Sequence, residues 1–152
     1  MRLLIQRVRH ASVAVEGETT GAIGQGLLVF VGLCQADSEA FFRPALDKLV
    51  NLRIFSDEAG KMNRSLLEVG GGLLLVSQFT LYADARKGRR PSYTNAMPPA
   101  EAEALFNRFV QFTRANFDGP VGEGRFGAFM EVSLLNDGPV TIWLDSAEMG
   151  WD

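Results

Sequence analysis

A chain of 152 residues with 47% hydrophobic residues and 11 Phe has the length of one domain, usually about 100–200 residues, and enough apolar material for a sizeable core, which excludes a largely disordered protein. Its net charge of −3 and pI near 5.2 exclude a protein that wraps duplex nucleic acid with a broad basic face, so DNA is not an expected partner. A grip on one exposed RNA end stays compatible with that charge.

Runs such as Leu27–Val31 and Leu73–Val76 are far too short to cross a bilayer. Gln6 and Arg7 interrupt the N-terminal stretch where a signal peptide would continue its apolar run. The expected compartment is therefore the cytoplasm, with no membrane partner. Cys34 and His10 are the only residues of their types. One cysteine makes no intrachain disulfide, and a zinc site usually takes three or four Cys, His or acidic ligands. Neither a metal nor a cofactor is expected. Cys34 follows the run Leu27–Leu33 and reads as a small buried apolar filler rather than a nucleophile.

In chain order, strands are predicted over Leu3–Arg9, Ser12–Val15 and Leu27–Leu33, punctuated by Gly17, Gly21, Gly24 and Gly26. Phe41/Phe42, Ala45/Leu46 and Leu49/Val50 then recur every four residues and predict a helix. Pro44 lies inside it and would cost about 3 kcal/mol in a helix interior, so the first turn should be irregular or the helix should begin near Pro44. Asn51–Phe55 suggests a further strand, ended by the turn Asp57–Gly60, and Gly70-Gly71-Gly72 precedes an apolar strand from Leu73.

A second helix starts at Pro99, lines one face with Ala102, Leu105, Phe106, Phe109, Val110 and Thr113, and stops at Asp118-Gly119-Pro120. Alternation from Phe126 to Leu134 and from Val140 to Leu144 predicts strands. Many strands and two main helices make an α/β domain of mixed β-sheet with both helices packed on one side. One domain is expected over residues 1–152, with 146–152 as a short C-terminal tail.

Two segments break the local rules. Leu73-Leu74-Leu75-Val76 runs into Ser77-Gln78-Phe79-Thr80-Leu81, and buried polar side chains without partners cost about 1–3 kcal/mol each. The run is either a strand end surfacing into solvent or a lined polar site. Asn136-Asp137-Gly138-Pro139 holds the Asp-Gly pair that predicts a two-residue hairpin, yet Pro139 brings no N–H to the returning strand. Arg86, Lys87, Arg89 and Arg90 place four positive charges in five residues, either as a phosphate contact or as a solvated loop. Gly60-Lys61 lacks the other residues of a phosphate-binding loop, and no Ser/His/Asp triad can be assembled from spacing.

Ser77-Gln78-Phe79-Thr80-Leu81 and Asn136-Asp137-Gly138-Pro139-Val140-Thr141 resemble the two signature motifs of the D-aminoacyl-tRNA deacylases. The resemblance runs from end to end, through Leu4–Val8, Arg53–Asp57, Gly60–Asn63, Arg90-Pro91-Ser92 and Gly124–Met130. It implies a three-layer, barrel-like homodimer that hydrolyses the ester of D-aminoacyl-tRNA, and of mischarged glycyl-tRNA, as chiral proofreading in translation. By the same resemblance Ser77, Gln78, Phe79 and Thr80 line the pocket for the 3′-terminal adenosine, with Phe79 and Thr80 acting mainly through their backbones. Gly138-Pro139, with a cis peptide, enters the partner's pocket as the chiral filter. Arg7 resembles the residue that orients it, and Phe126 and Met130 resemble positions near the adenosine. The competing class is a non-catalytic RNA-end or ribosome-associated module using Arg86–Arg90, and a generic esterase is more remote.

Overall fold

The computed structural model describes residues 1–151. In chain order its regular elements are β1 (Arg2–Val15), β2 (Glu18–Ile23), β3 (Gly26–Gly32), α1 (Phe42–Asn51), β4 (Phe55–Ser56), β5 (Met62–Arg64), α2 (Leu66–Val69), β6 (Gly72–Ser77), α3 (Pro99–Asn116), β7 (Val121–Glu123), β8 (Glu131–Asp145) and α4 (Ser146–Met149). Six strands form one mixed sheet in the order β2-β1-β3-β6-β7, with β8 paired to β1. The β3–β6 and β6–β7 pairs are parallel and the others antiparallel. The Thr20 hydroxyl donates to the Glu123 carbonyl at 3.4 Å, which brings β2 against β7 and curls the sheet into a nearly closed barrel.

β1 is one long strand where the sequence suggested two, Leu3–Arg9 and Ser12–Val15. Its first half pairs with β3, its second half with β2, and β8 follows both. Between the pairs Val8↔Asn136 and Ala11↔Leu134, β1 carries one residue more than β8. Such a slip exchanges the faces to which alternate side chains point. Leu3 and Ile5 thus pack in the core beneath the helices, whereas Ala11 and Val13 join Val8 in a second cluster on the other face.

α1 begins after a 3₁₀ turn at Glu39–Phe41, with Pro44 in its first turn, where the missing N–H has no helical partner to lose. This is the irregular start the sequence implied. In α3 the six buried positions are the six predicted ones. Phe42 of α1 stands 5.2 Å from Phe109 and 5.7 Å from Phe112 between ring centroids. Both long helices share their cluster with Leu3, Ile5, Leu27, Val29, Leu73 and Leu75 and so cover one face of the sheet. Leu28, Leu74 and Val76 point the other way. Buried on both faces, β3 and β6 read as unbroken apolar runs.

Other expectations are corrected. The strand over Asn51–Phe55 shrinks to Phe55–Ser56, paired with β5, and β2 forms where only glycine punctuation was evident. Phe126–Met130 is irregular, since β8 starts at Glu131. The hairpin at Asn136–Pro139 does not exist, because β8 runs straight through it. Residues 146–151 are held down: Asp145 caps α4 by accepting from the Ala147 N–H at 3.0 Å, and Trp151 belongs to the main core. The Met1 ammonium is buried against the Asp37 carboxylate and donates to Ser146 Oγ at 2.7 Å.

Candidate active site

The polar run after β6 is both a strand end and a lined site. β6 is buried through Val76, and Ser77 lies opposite Val31. The Gln78 N–H still donates to the Val31 carbonyl at 2.8 Å. There the chain leaves the sheet and enters a 3₁₀ turn at Phe79–Tyr82, whose first bond is Leu81 N–H to Gln78 O at 3.3 Å. The turn folds back over β3 at Gly32, where a Cβ would lie 2.9 Å from Leu81 Cβ and 3.2 Å from Gln78 O. Only glycine admits that approach. In a turn of this type the leading N–H groups lack intrahelical acceptors, and among the described residues those of Phe79 and Thr80 have no partner elsewhere.

A cavity of about 700 Å³ opens beside this turn, within the range of small-ligand sites. Val31, Leu33 and Val76 contribute apolar lining, together with Ser77, Gln78 and Phe79 from the end of β6 and Phe126–Met130 from the segment before β8. Phe126 is supported by Phe106 at 6.2 Å between ring centroids, and Met130 packs on the second core cluster. Ser77, Gln78, Phe79, Phe126 and Met130 therefore line one cavity. Thr80 sits outside the lining and is exposed. Its hydroxyl accepts from Gln78 Nε2 at 2.5 Å.

Sequence reasoning missed much of the rim. Tyr93, Thr94, Met97, Pro98 and Phe129 also line the cavity, and Tyr93 meets Phe79 edge-on at 5.0 Å. Tyr93 and Phe129 adjoin or lie within the family-like segments Arg90-Pro91-Ser92 and Gly124–Met130, which was the available signal. Met97 and Pro98 belong to no pattern.

The second signature motif is elsewhere in the chain. Between Gln6↔Thr141 and Val8↔Asn136, Arg7 alone faces the four residues 137–140, so the Asp-Gly signal builds a wide bulge. The Gly138–Pro139 peptide is cis, and Gly138 has φ +130. A Cβ on Gly138 would stand 2.9 Å from Val140 Cγ2 and 3.0 Å from Arg7 Nη2. Arg7 is buried and donates from Nε to the Asp137 carbonyl at 3.0 Å and from Nη1 to the Ile54 carbonyl at 2.6 Å. Asn136 closes the bulge by accepting from the Val140 N–H at 3.4 Å. Gly138 and Pro139 are both exposed and line no part of their own chain's cavity.

The basic segment is a loop pinned at its base. Asp84 and Ser92 exchange backbone hydrogen bonds at 2.8 and 2.9 Å. Asp84 accepts from Arg86 Nε at 2.9 Å and Nη2 at 2.6 Å, and from the Arg86 N–H at 3.0 Å. These bonds hold its carboxyl down at about 2. Cys34 is half-buried, not fully buried as expected, with its N–H bound by the Asp37 carboxylate at 2.7 Å. Among the described residues no helix is long and apolar enough to cross a membrane.

Comparison with known proteins agrees with the motif resemblance. The family model for D-Tyr-tRNA(Tyr) deacylase matches residues 4–145. The chain is 58% identical over 149 residues to the D-aminoacyl-tRNA deacylase of Thermomicrobium roseum, covering 98% of this chain and 96% of that one. The solved structure of the c-Myc DNA unwinding element binding protein is similar at 40% identity with a TM-score of 0.90, over 96% of this chain and 99% of that chain. A solved structure described as a probable eukaryotic D-amino acid tRNA deacylase shares the fold, at 22% identity with a TM-score of 0.77, over 94% and 97% of the two chains. With the model spanning both signature motifs and identity well above half along nearly the whole length, this chain belongs to the D-Tyr-tRNA(Tyr) deacylase family.

Proposed function

We propose that the protein hydrolyses the ester bond of D-aminoacyl-tRNA in the cytoplasm, releasing the free D-amino acid and tRNA, as one domain that works in a homodimer. The observation that carries this reading is the cavity lined by Ser77–Phe79, Phe126 and Met130, in a chain of this family. Its size and apolar lining suit the terminal adenosine. The N–H groups of Phe79 and Thr80 are free to donate to the oxyanion that develops when water adds to the acyl carbon. As that intermediate collapses, the bond to the ribose 3′-oxygen breaks and this oxygen takes up a proton.

The vicinal 2′-hydroxyl of the substrate does the acid–base work. Thr80 as a nucleophile would need an activating base, whereas its hydroxyl is bonded to the Gln78 amide, which donates to it and is no base. Binding and orientation then supply most of the rate.

Gly138-Pro139 acts as the chiral filter in the partner subunit's cavity. The dipeptide is exposed and outside its own chain's cavity. β8 pairs with β1 alone among the described strands, and Leu135 and Trp143 near the bulge are 41% and 43% exposed. A docking second copy would cover them. A filter made of backbone atoms blocks the direction of an L side chain and is indifferent to the identity of a D one. Glycine has no side chain to block.

Purified, metal-free protein should turn over D-Tyr-tRNA, spare L-Tyr-tRNA and cleave Gly-tRNA to some extent. Stoichiometric binding without turnover would reveal a non-catalytic RNA-end module instead. Sedimentation of a fully active monomer would sink the cross-subunit filter.

A further inference from the structure

We propose that Lys87, Arg89 and Arg90 form a phosphodiester-binding subsite for the single-stranded RNA that leads into the cavity. The inference rests on the functional reading above and names where the RNA chain continues beyond its terminal nucleoside.

Three observations converge on this loop. The first is its charge. Lys87, Arg89 and Arg90 are exposed and none is in an ion pair among the described residues, while Asp84, the one acid at the loop's base, is already occupied by Arg86. Three uncompensated cations on a chain of net charge −3 are concentrated where the rest of the surface would repel RNA.

The second is position. The Asp84–Ser92 backbone pair closes the loop, and the next residues, Tyr93 and Thr94, line the cavity. Arg90 is three residues from Tyr93 and Lys87 six, so they stand within roughly 11 Å and 22 Å of it along the chain. That span suits the first few phosphates upstream of a nucleoside held in the cavity.

The third is the link between them. Phe79 and Tyr93 both line the cavity, form an edge-to-face pair and are 57% and 38% exposed, and Tyr93 directly follows the loop's closing residue Ser92. Cationic grooves beside exposed aromatic rings are how proteins hold single strands without reading sequence.

The test compares wild type with a Lys87→Gln/Arg89→Gln/Arg90→Gln variant on two substrates: D-Tyr-tRNA, and a D-tyrosyl ester of adenosine, which has no phosphodiester. The readout is the ratio of kcat/KM for the tRNA over that for the nucleoside ester. Losing three single-strand phosphate contacts should remove roughly 2 from the slope of log(kcat/KM) against log salt. Over a fourfold rise in salt, wild type should then lose roughly 18-fold more activity on tRNA than the variant does. An unchanged ratio overturns the subsite.

Should the triple variant fold poorly and lose both substrates, the single variants Lys87→Gln, Arg89→Gln and Arg90→Gln decide. A salt slope on tRNA shallower than wild type by roughly 0.7 in each upholds the proposal, and slopes equal to wild type in all three overturn it. If wild type cleaves neither ester, the functional reading itself has failed. Salt-dependent binding of a non-aminoacylated 3′-terminal oligoribonucleotide, present in wild type and lost in the variant, then still decides the subsite on its own.

Discussion

Arg7 is the side chain on which the bulge of β8 is hung, and Arg7→Met measures what it contributes. Methionine keeps the apolar stem and removes both donors. The change leaves the Ile54 carbonyl unsatisfied in the interior and the Asp137 carbonyl unsatisfied at a half-buried site. A hydrogen bond from a charged donor contributes about 1.5–3 kcal/mol, and an abandoned buried acceptor costs about 1–3 kcal/mol. Water reaches the Asp137 side, so the sum is about 3–4 kcal/mol, comparable to breaking a buried charged pair. In a domain of this length each kcal/mol moves Tm by about 2–4 °C, giving a fall of roughly 6–16 °C in a thermal melt at fixed protein concentration. Arg7→Lys should lose about half as much, because one ammonium cannot reach two divergent carbonyls. Residues 137–140 would also lose their clamp, so the ratio of D-Tyr-tRNA to L-Tyr-tRNA hydrolysis should fall more steeply than the D rate itself. An Arg7→Met protein with wild-type Tm and an unchanged D/L ratio would refute the reasoning.

Thr80→Ala keeps the backbone N–H and should retain substantial activity in single-turnover assays, whereas a substrate charged on the 3′-oxygen and lacking the 2′-hydroxyl should bind yet stay intact. An inactive Thr80→Ala enzyme that binds normally, with an acyl-threonine trapped in wild type, would contradict substrate assistance. The Asp84 carboxyl is held at about 2 by the Arg86 side chain and then by the Arg86 N–H. Because this lies below the ordinary value of about 4, its stabilising contribution is complete above about pH 4 and is lost as the pH falls toward about 2. In a carbon-13 titration Arg86→Gln should raise the Asp84 midpoint toward about 4, and an unmoved midpoint would show that Arg86 is not the cause.

The parts of the fold that were legible are those whose signal is local and strong. α3 carries a full apolar stripe between a proline start and an Asp118-Gly119-Pro120 stop, and its six buried positions follow from the 3.6-residue period alone. β8 was misread because Asp-Gly has the same backbone freedom in a hairpin as in a bulge. Pairing with β1 on both sides of residues 137–140 decides between them, and that pairing spans most of the chain. Of the site, Ser77 and Gln78 stood out as polar residues ending an apolar strand. Met97 and Pro98 did not, since they reach the cavity only through the path of an irregular segment. The roles proposed for Arg7, Gly138 and Pro139 come from family resemblance and from no spacing rule. One chain's periodicity carries no information about what it presents to another.

The pairing of β1 with β8 also sets an order of events during synthesis. At about 5–20 residues per second, the stretch from Val15 to Glu131 takes roughly 6–23 s to make. Through that interval the edge of β1 that will receive β8 presents unpaired N–H and C=O groups, the kind of edge that templates aggregation. By the end of that interval most of the apolar residues have been made while the sheet is still unfinished. Gly138 and Pro139 are carried by the strand that ends that period. A chain stalled before β8 could possess the turn at Phe79–Tyr82, yet it would lack the bulge that carries Gly138 and Pro139.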